Sequence, residues 1–115
     1  MTTDYQRLCG MLGLARRAGR LTIGTEQVCL AMAERPDERP ALVLISHTAS
    51  AATKKKVTVK GAYYGVPVRQ IPISTDELGH LIGKSTSPAS VAVRDVHMAA
   101  QIERLLGSVT SATKG

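Results

Sequence analysis

Apolar side chains recur at Leu8, Met11, Leu12, Ala15 and Ala18, a spacing of three and four that predicts a helix over residues 4–18. Asp4 can cap its start, and Gly19 suits the left-handed position just past its end. Leu21 and Ile23 then alternate with polar neighbours, as a short strand does. In "GTEQVCLAMAER" the residues Val28, Cys29, Ala31 and Met32 form a second helical face, which Pro36 stops. "RPDERP" is charged and bounded by prolines, so it reads as a surface loop. "ALVLIS" is an unbroken apolar run of strand length, the signature of a strand covered on both faces.

The next segment, "SHTASAATKKKVTVKGAYYG", mixes signals. Ser46, Thr48 and Ser50 are candidate caps for a helix through Tyr64, whereas Val57, Thr58 and Val59 prefer strands and Gly61 costs a helix ~1 kcal/mol. A helix is predicted, because a parallel strand beside "ALVLIS" needs a crossover of about a dozen residues. "VPVRQIPI" is that strand, and its prolines place it at an edge. Ser74 and Glu77 form a capping box for a short helix ending near Gly83. "KSTSP" is a polar loop, "ASVAVRD" a strand, and "VHMAAQIERLLG" a closing helix capped by Asp95 and ended by Gly107. Strictly alternating helices and strands give a three-layer α/β/α sandwich around a four-stranded mixed sheet. Residues 1–107 form one domain and residues 108–115 a flexible C-terminal tail, by this reading.

Composition narrows the function. The 115 residues suit one domain, with no run of ~20 apolar residues to cross a membrane and no basic-then-apolar leader, so a cytoplasmic location is expected. Cys9 and Cys29 read as reduced thiols packed in the core. His47, His80 and His97 lack metal-site spacing, so neither a metal nor another cofactor is expected. The net charge is +6 and unevenly spread. No acidic residue lies between Glu38 and Asp76, while Arg39, Lys54, Lys55, Lys56, Lys60 and Arg69 do. That excess favours a polyanionic partner. With three tyrosines, no Phe and no Trp, the chain has few side chains for stacking single-stranded bases, so RNA would be read through backbone shape and base edges.

Two glycine-marked connections carry candidate chemistry. "GHLIGKST" resembles the end of a phosphate loop, but Gly79 and Gly83 enclose three residues where such a loop needs four, and a strand follows rather than a helix. Lys84, Ser85, Thr86 and Ser87 instead form a polar, cationic loop suited to a backbone phosphate, or simply a solvated turn. At Gly24, Thr25, Glu26 and Gln27 a strand passes into a helix, whose free amides and positive dipole end suit an anion. Gln27 offers a donor and an acceptor to a guanine edge. A plain capped helix start is the alternative.

The segments "LGLARRAGRLTIGTEQV", "ALVLISHTAS", "KKVTVKGAYYGVPV" and "ELGHLIGKSTSPASVAV" carry a resemblance. From about Leu8 to Leu106 the chain resembles the archaeal-type large-subunit ribosomal protein L-seven-Ae family of kink-turn RNA binders, in its small bacterial YlxQ-like branch. The resemblance implies the same sandwich, with RNA lying across the turn at residues 24–27 and the loop at residues 84–87. There the family grips tandem sheared G·A pairs and a bulged nucleotide beside a sharp bend. This chain differs at Glu26, where the family usually has Asn or Lys, at Gln27, where many members have Glu, and at Leu30, where a lysine is typical. Its 84–87 loop is polar where the family's is usually apolar. Lys54 and Lys55 are candidates for compensating backbone contacts.

The expectation is a monomeric, non-enzymatic protein that binds structured, kink-turn-like RNA, in the ribosome or associated with it. A protein-interaction module that keeps the fold without kink-turn specificity is the alternative. A small enzyme is disfavoured, because no cofactor fingerprint, nucleophile–base pairing or carboxylate pair is visible.

Overall fold

The structure, a computed structural model, describes residues 3–83 and 87–113. The elements alternate as the sequence patterning predicts: α1 (Asp4–Arg17), β1 (Leu21–Ile23), α2 (Thr25–Met32), β2 (Leu42–Ser46), α3 (Ala51–Tyr64), β3 (Val68–Ile71), α4 (Thr75–Leu81), β4 (Ser90–Val93) and α5 (Val96–Thr113). One turn of 3-10 helix, Pro36–Glu38, sits within the linker that was expected to be an irregular loop. Proline at its first position presets the required backbone angle.

The sheet order is β1-β4-β2-β3. β2 and β3 pair in parallel, whereas β4 runs antiparallel to both β1 and β2, so the sheet is mixed. β3 is an edge strand, which tolerates the prolines flanking it. Every residue of β2 is buried. Leu42 and Leu44 face one apolar cluster and Val43 and Ile45 the other, as alternation along a strand requires.

Those clusters are the two interfaces of the sandwich. Leu8 and Leu12 of α1, Leu78 of α4 and Ile102 and Leu106 of α5 pack on one face of the sheet. Val28 and Met32 of α2 and Val57 of α3 pack on the other. α3 approaches β3 so closely that a Cβ at Gly61 would stand 2.4 Å from Val68 Cγ2 and 2.9 Å from the Val66 carbonyl oxygen. The glycine that weakens the helix is therefore what lets it dock.

Several caps differ from the sequence reading. α1 is capped by Thr3, not Asp4: the Thr3 hydroxyl accepts from the Gln6 amide, and the Gln6 side chain accepts from Thr3. Asp4 is the first helical residue and pairs with Arg7. Ser74 caps α4 as expected, but Glu77 does not complete the box. Its carboxylate accepts a 2.6 Å hydrogen bond from the Tyr5 hydroxyl, tying α4 to α1 and holding that phenol above its ordinary range. Burial likewise pushes up the half-buried Cys9 thiol nearby. Asp95 caps α5 through the Met98 amide, which lowers its carboxyl below the usual range. α5 does not stop at Gly107 but runs to Thr113. A single exposed glycine costs a helix ~1 kcal/mol, too little to end one already anchored on Ala99, Ile102 and Leu106.

Candidate functional site

β1, β2 and β3 run in one direction and end at the same edge of the sandwich, where antiparallel β4 begins. Each is followed there by a helix, so α2, α3 and α4 all start at this end. Their amide-rich first turns collect positive partial charge on one surface.

The Gly24 turn lies in the middle of it. Gly24 sits at φ +98°, a conformation that disfavours any side chain, and no side chain caps α2. The first helical hydrogen bond runs from the Val28 amide to the Gly24 carbonyl, which leaves the amides of Thr25, Glu26 and Gln27 facing outward without a helical acceptor. Thr25 does not cap the helix; its hydroxyl is 3.0 Å from the Ser90 hydroxyl. The Gly24 amide donates to the Ser90 carbonyl at 3.0 Å. Glu26 and Gln27 are exposed.

Ser90 therefore fastens the Gly24 turn to the segment that enters β4. That segment includes Ser87, which is exposed and whose hydroxyl donates to the Asp76 carboxylate at 2.7 Å. Lys84, Ser85 and Thr86 lie outside the described residues. Among the described residues the Gly24 turn meets the start of β4 at Ser90, and Ser87 of the other connection meets α4 at Asp76. Sequence reasoning missed Ser90, a buried hydroxyl inside an apolar strand. Its signal was present in "ASVAV": a polar residue in a wholly buried strand needs a partner. Ser46 poses the same question at the end of β2, and its hydroxyl donates to the Ile73 carbonyl at 2.6 Å.

The lysines of α3 divide. Lys54 folds back, its ammonium donating to the His47 carbonyl at 2.8 Å. Lys55 and Lys56 are exposed. All ion pairs seen among the described residues use arginines: Arg7 with Asp4, Arg35 with Asp37 and Glu38, Arg69 with Glu103. The α3 lysines have no carboxylate partner there. Gln27 and Leu30 line an open groove of about 640 Å³ together with Arg20, Arg39 and Arg94 and with Glu34, Asp37 and Glu38. Leu30 is 61% exposed on its wall. No cluster of metal-ligand side chains occurs among the described residues, and no helix described is long and apolar enough to cross a membrane.

The surface has recognisable relatives. Residues 6–103 match the model of the ribosomal protein L7Ae/L30e/S12e/Gadd45 family. The RNA-binding protein YlxQ of Bacillus subtilis (strain 168) is 40% identical over 96 residues, covering 84% of this chain and 91% of that one. The RNA-binding protein YlxQ of Enterococcus faecium is 39% identical over 81 residues, covering 70% and 75%. A protein of unknown function from Bacillus halodurans has a similar structure, with a TM-score of 0.77 at 32% identity over 87% of this chain and 96% of that one. The 15.5 kD RNA binding protein of Giardia lamblia shares the fold, with a TM-score of 0.70 at 14% identity over 90% and 85%. With a family match over most of its length and a relative 40% identical, the chain belongs to the ribosomal protein L7Ae/L30e/S12e/Gadd45 family, in a YlxQ-like branch.

Proposed function

We propose that this protein binds structured RNA, with a kink-turn as its preferred target, as a non-enzymatic, cytoplasmic monomer of the ribosome or its associated particles. The observation that carries the reading is the pair of Ser90 contacts that join the uncapped start of α2 to the first residue of β4, the strand that the 84–87 loop precedes. They support a reading in which the Gly24 turn and that loop share one surface. The amides of residues 25–27 supply fixed donors to closely spaced phosphates, and the Gln27 side chain reaches a base edge. Exposed lysines on α3 add charge beside them. A surface already in place loses less freedom on binding than a flexible one, so more of its interaction with the phosphates goes into stabilising a bend that bare RNA populates poorly. The names of the YlxQ relatives support RNA as the polyanion.

Glu26 sharpens the specificity expected. Its carboxylate favours the helix start but repels phosphate, so it suits a place opposite an amino group of guanine or cytosine. The test is a gel-shift titration with a kink-turn RNA and an unkinked duplex of the same composition. Tighter binding of the kink-turn is expected; equal binding of both would reject kink-turn preference, and no binding at low salt would reject RNA altogether.

The exposure of Leu30 favours a second reading, in which the groove beside α2 receives a protein. Partners recovered by pull-down and retained after nuclease treatment would favour it over the first.

A further inference from the structure

The outer face of α3 combines lysines with exposed apolar and aromatic side chains. Val57 and Gly61 point into the sandwich. On the opposite side, Lys56, Val59 and Tyr63 fall at i, i+3 and i+7, a single stripe, with Lys55 and Lys60 on its flanks. Val59 is 58% and Tyr63 81% exposed. No acidic residue occurs in α3, and none of its lysines is in an ion pair among the described residues.

Tyr63 is also held in place. Its ring meets Tyr64 edge to face, with centroids 4.8 Å apart and planes at 88°. Tyr64 is fixed in turn by Arg39, whose guanidinium lies 5.1 Å from the ring centroid and donates to the Tyr64 carbonyl at 3.1 Å. An exposed aromatic ring braced on one side keeps its other surface open and loses little freedom when something stacks on it. A helix rises 1.5 Å per residue, so Tyr63 stands roughly 10 Å farther along α3 than Lys56. α2 and α3 form one layer and begin at the same edge, so the lysine end of the stripe is the end nearer that edge.

We propose that this stripe is a second RNA contact, in which Tyr63 stacks on an unpaired nucleotide flanking the bend while Lys55 and Lys56 hold the phosphates leading to it. The assignment rests on the RNA-binding reading above and extends its footprint along α3. Charge selects the occupant: four lysines without a carboxylate repel a basic protein surface and attract a polyanion. The one well-presented aromatic ring supplies what a sequence poor in aromatics otherwise lacks.

The experiment measures affinity for a kink-turn RNA ending in blunt duplex arms and for the same RNA with a single-stranded extension on either arm. The extension should tighten binding to the unaltered protein, and Tyr63→Ala should cancel about a tenfold gain while leaving affinity for the blunt RNA unchanged. Tyr63→Phe should keep the gain, since the ring face is retained. Lys56→Ala should lower the salt slope by about one. If the extension adds nothing, or Tyr63→Ala leaves its gain intact, the stripe is not an RNA contact. Those results still leave the binding of the blunt RNA to be seen, whereas failure to bind either RNA overturns the underlying reading as well. Because Tyr63 is so exposed, unfolding curves of all variants should coincide with that of the unaltered protein.

Discussion

The two helical layers of this protein divide its labour. The α1, α4 and α5 layer packs leucine and isoleucine against the sheet, and its carboxylates are matched locally: Asp4 with Arg7, Glu103 with Arg69 of the edge strand, Glu77 with the Tyr5 hydroxyl. Ser108 also donates to Asp4, joining α5 to α1. The α2 and α3 layer packs smaller side chains, mainly valine and alanine with Met32. Among the described residues no charged side chain of α2 or α3 is in an ion pair, the α2 helix starts without a side-chain cap, and the layer presents Leu30, Val59 and Tyr63 to solvent where the first layer presents Leu14 and Val96. The second layer is the more incomplete in its charges and its helix start, not in its exposed apolar side chains.

The sharpest way to break the comparison is to empty each core. Leu12→Ala, at a fully buried position in the first layer, should cost about 2–5 kcal/mol in denaturant unfolding. Val57→Ala, also fully buried but in the second layer, removes less volume and should cost about 1–2 kcal/mol. A larger loss at Val57 would mean that the second layer carries more of the stability than its composition implies.

Gly24→Ala comes next. Forcing a side chain to φ +98° should cost of order 1–3 kcal/mol. It should also weaken RNA binding, because relief of the strain moves the donors of residues 25–27. Stability lost with RNA affinity kept would detach the turn from the site.

Tyr5→Phe probes the first layer alone. It should cost about 1 kcal/mol near neutral pH, through the lost bond to Glu77. Because the folded state raises the pKa of this phenol, chiefly through that bond, the folded chain holds the proton more tightly than the unfolded one. The associated stability is complete below the ordinary tyrosine value of about 10 and declines as pH rises beyond it. Alkaline unfolding profiles should show that decline in the unaltered protein and a flatter curve for Tyr5→Phe.

The smallest effect is expected at the exposed Arg69–Glu103 pair. Arg69→Ala should change stability by less than about 1 kcal/mol and leave RNA affinity intact.

Much of this architecture was legible in the sequence, because burial imposes period. The three-and-four spacing of Leu8, Leu12 and Ala15 and the unbroken apolar run of β2 each report how many sides of an element are covered. Caps were less legible. Thr3 and Asp4 are both competent, and a difference of one residue depends on reciprocal geometry with Gln6 that composition does not encode. Glu77 shows the same limit, since its partner Tyr5 lies far away in sequence. At the site, Gly24 announced itself through the turn it permits. The Ser90 anchor and the open face of Tyr63 did not, because both depend on which elements the fold leaves beside them and which it leaves bare. Residues 84–86, expected to join the site, lie outside the described residues, and Ser87, the described residue of that loop, bonds to Asp76.

The central claim is that RNA lands on the incomplete layer, at the junction of the Gly24 turn with the segment entering β4. Amide chemical shifts followed during titration with a short kink-turn RNA address it directly. The account predicts the largest changes at residues 24–27 and at Ser87, Ala89 and Ser90, with smaller ones along α3 and none at Gln101 and Arg104 on the outside of α5. Changes concentrated on α1 and α5, with residues 24–27 unmoved, would contradict it.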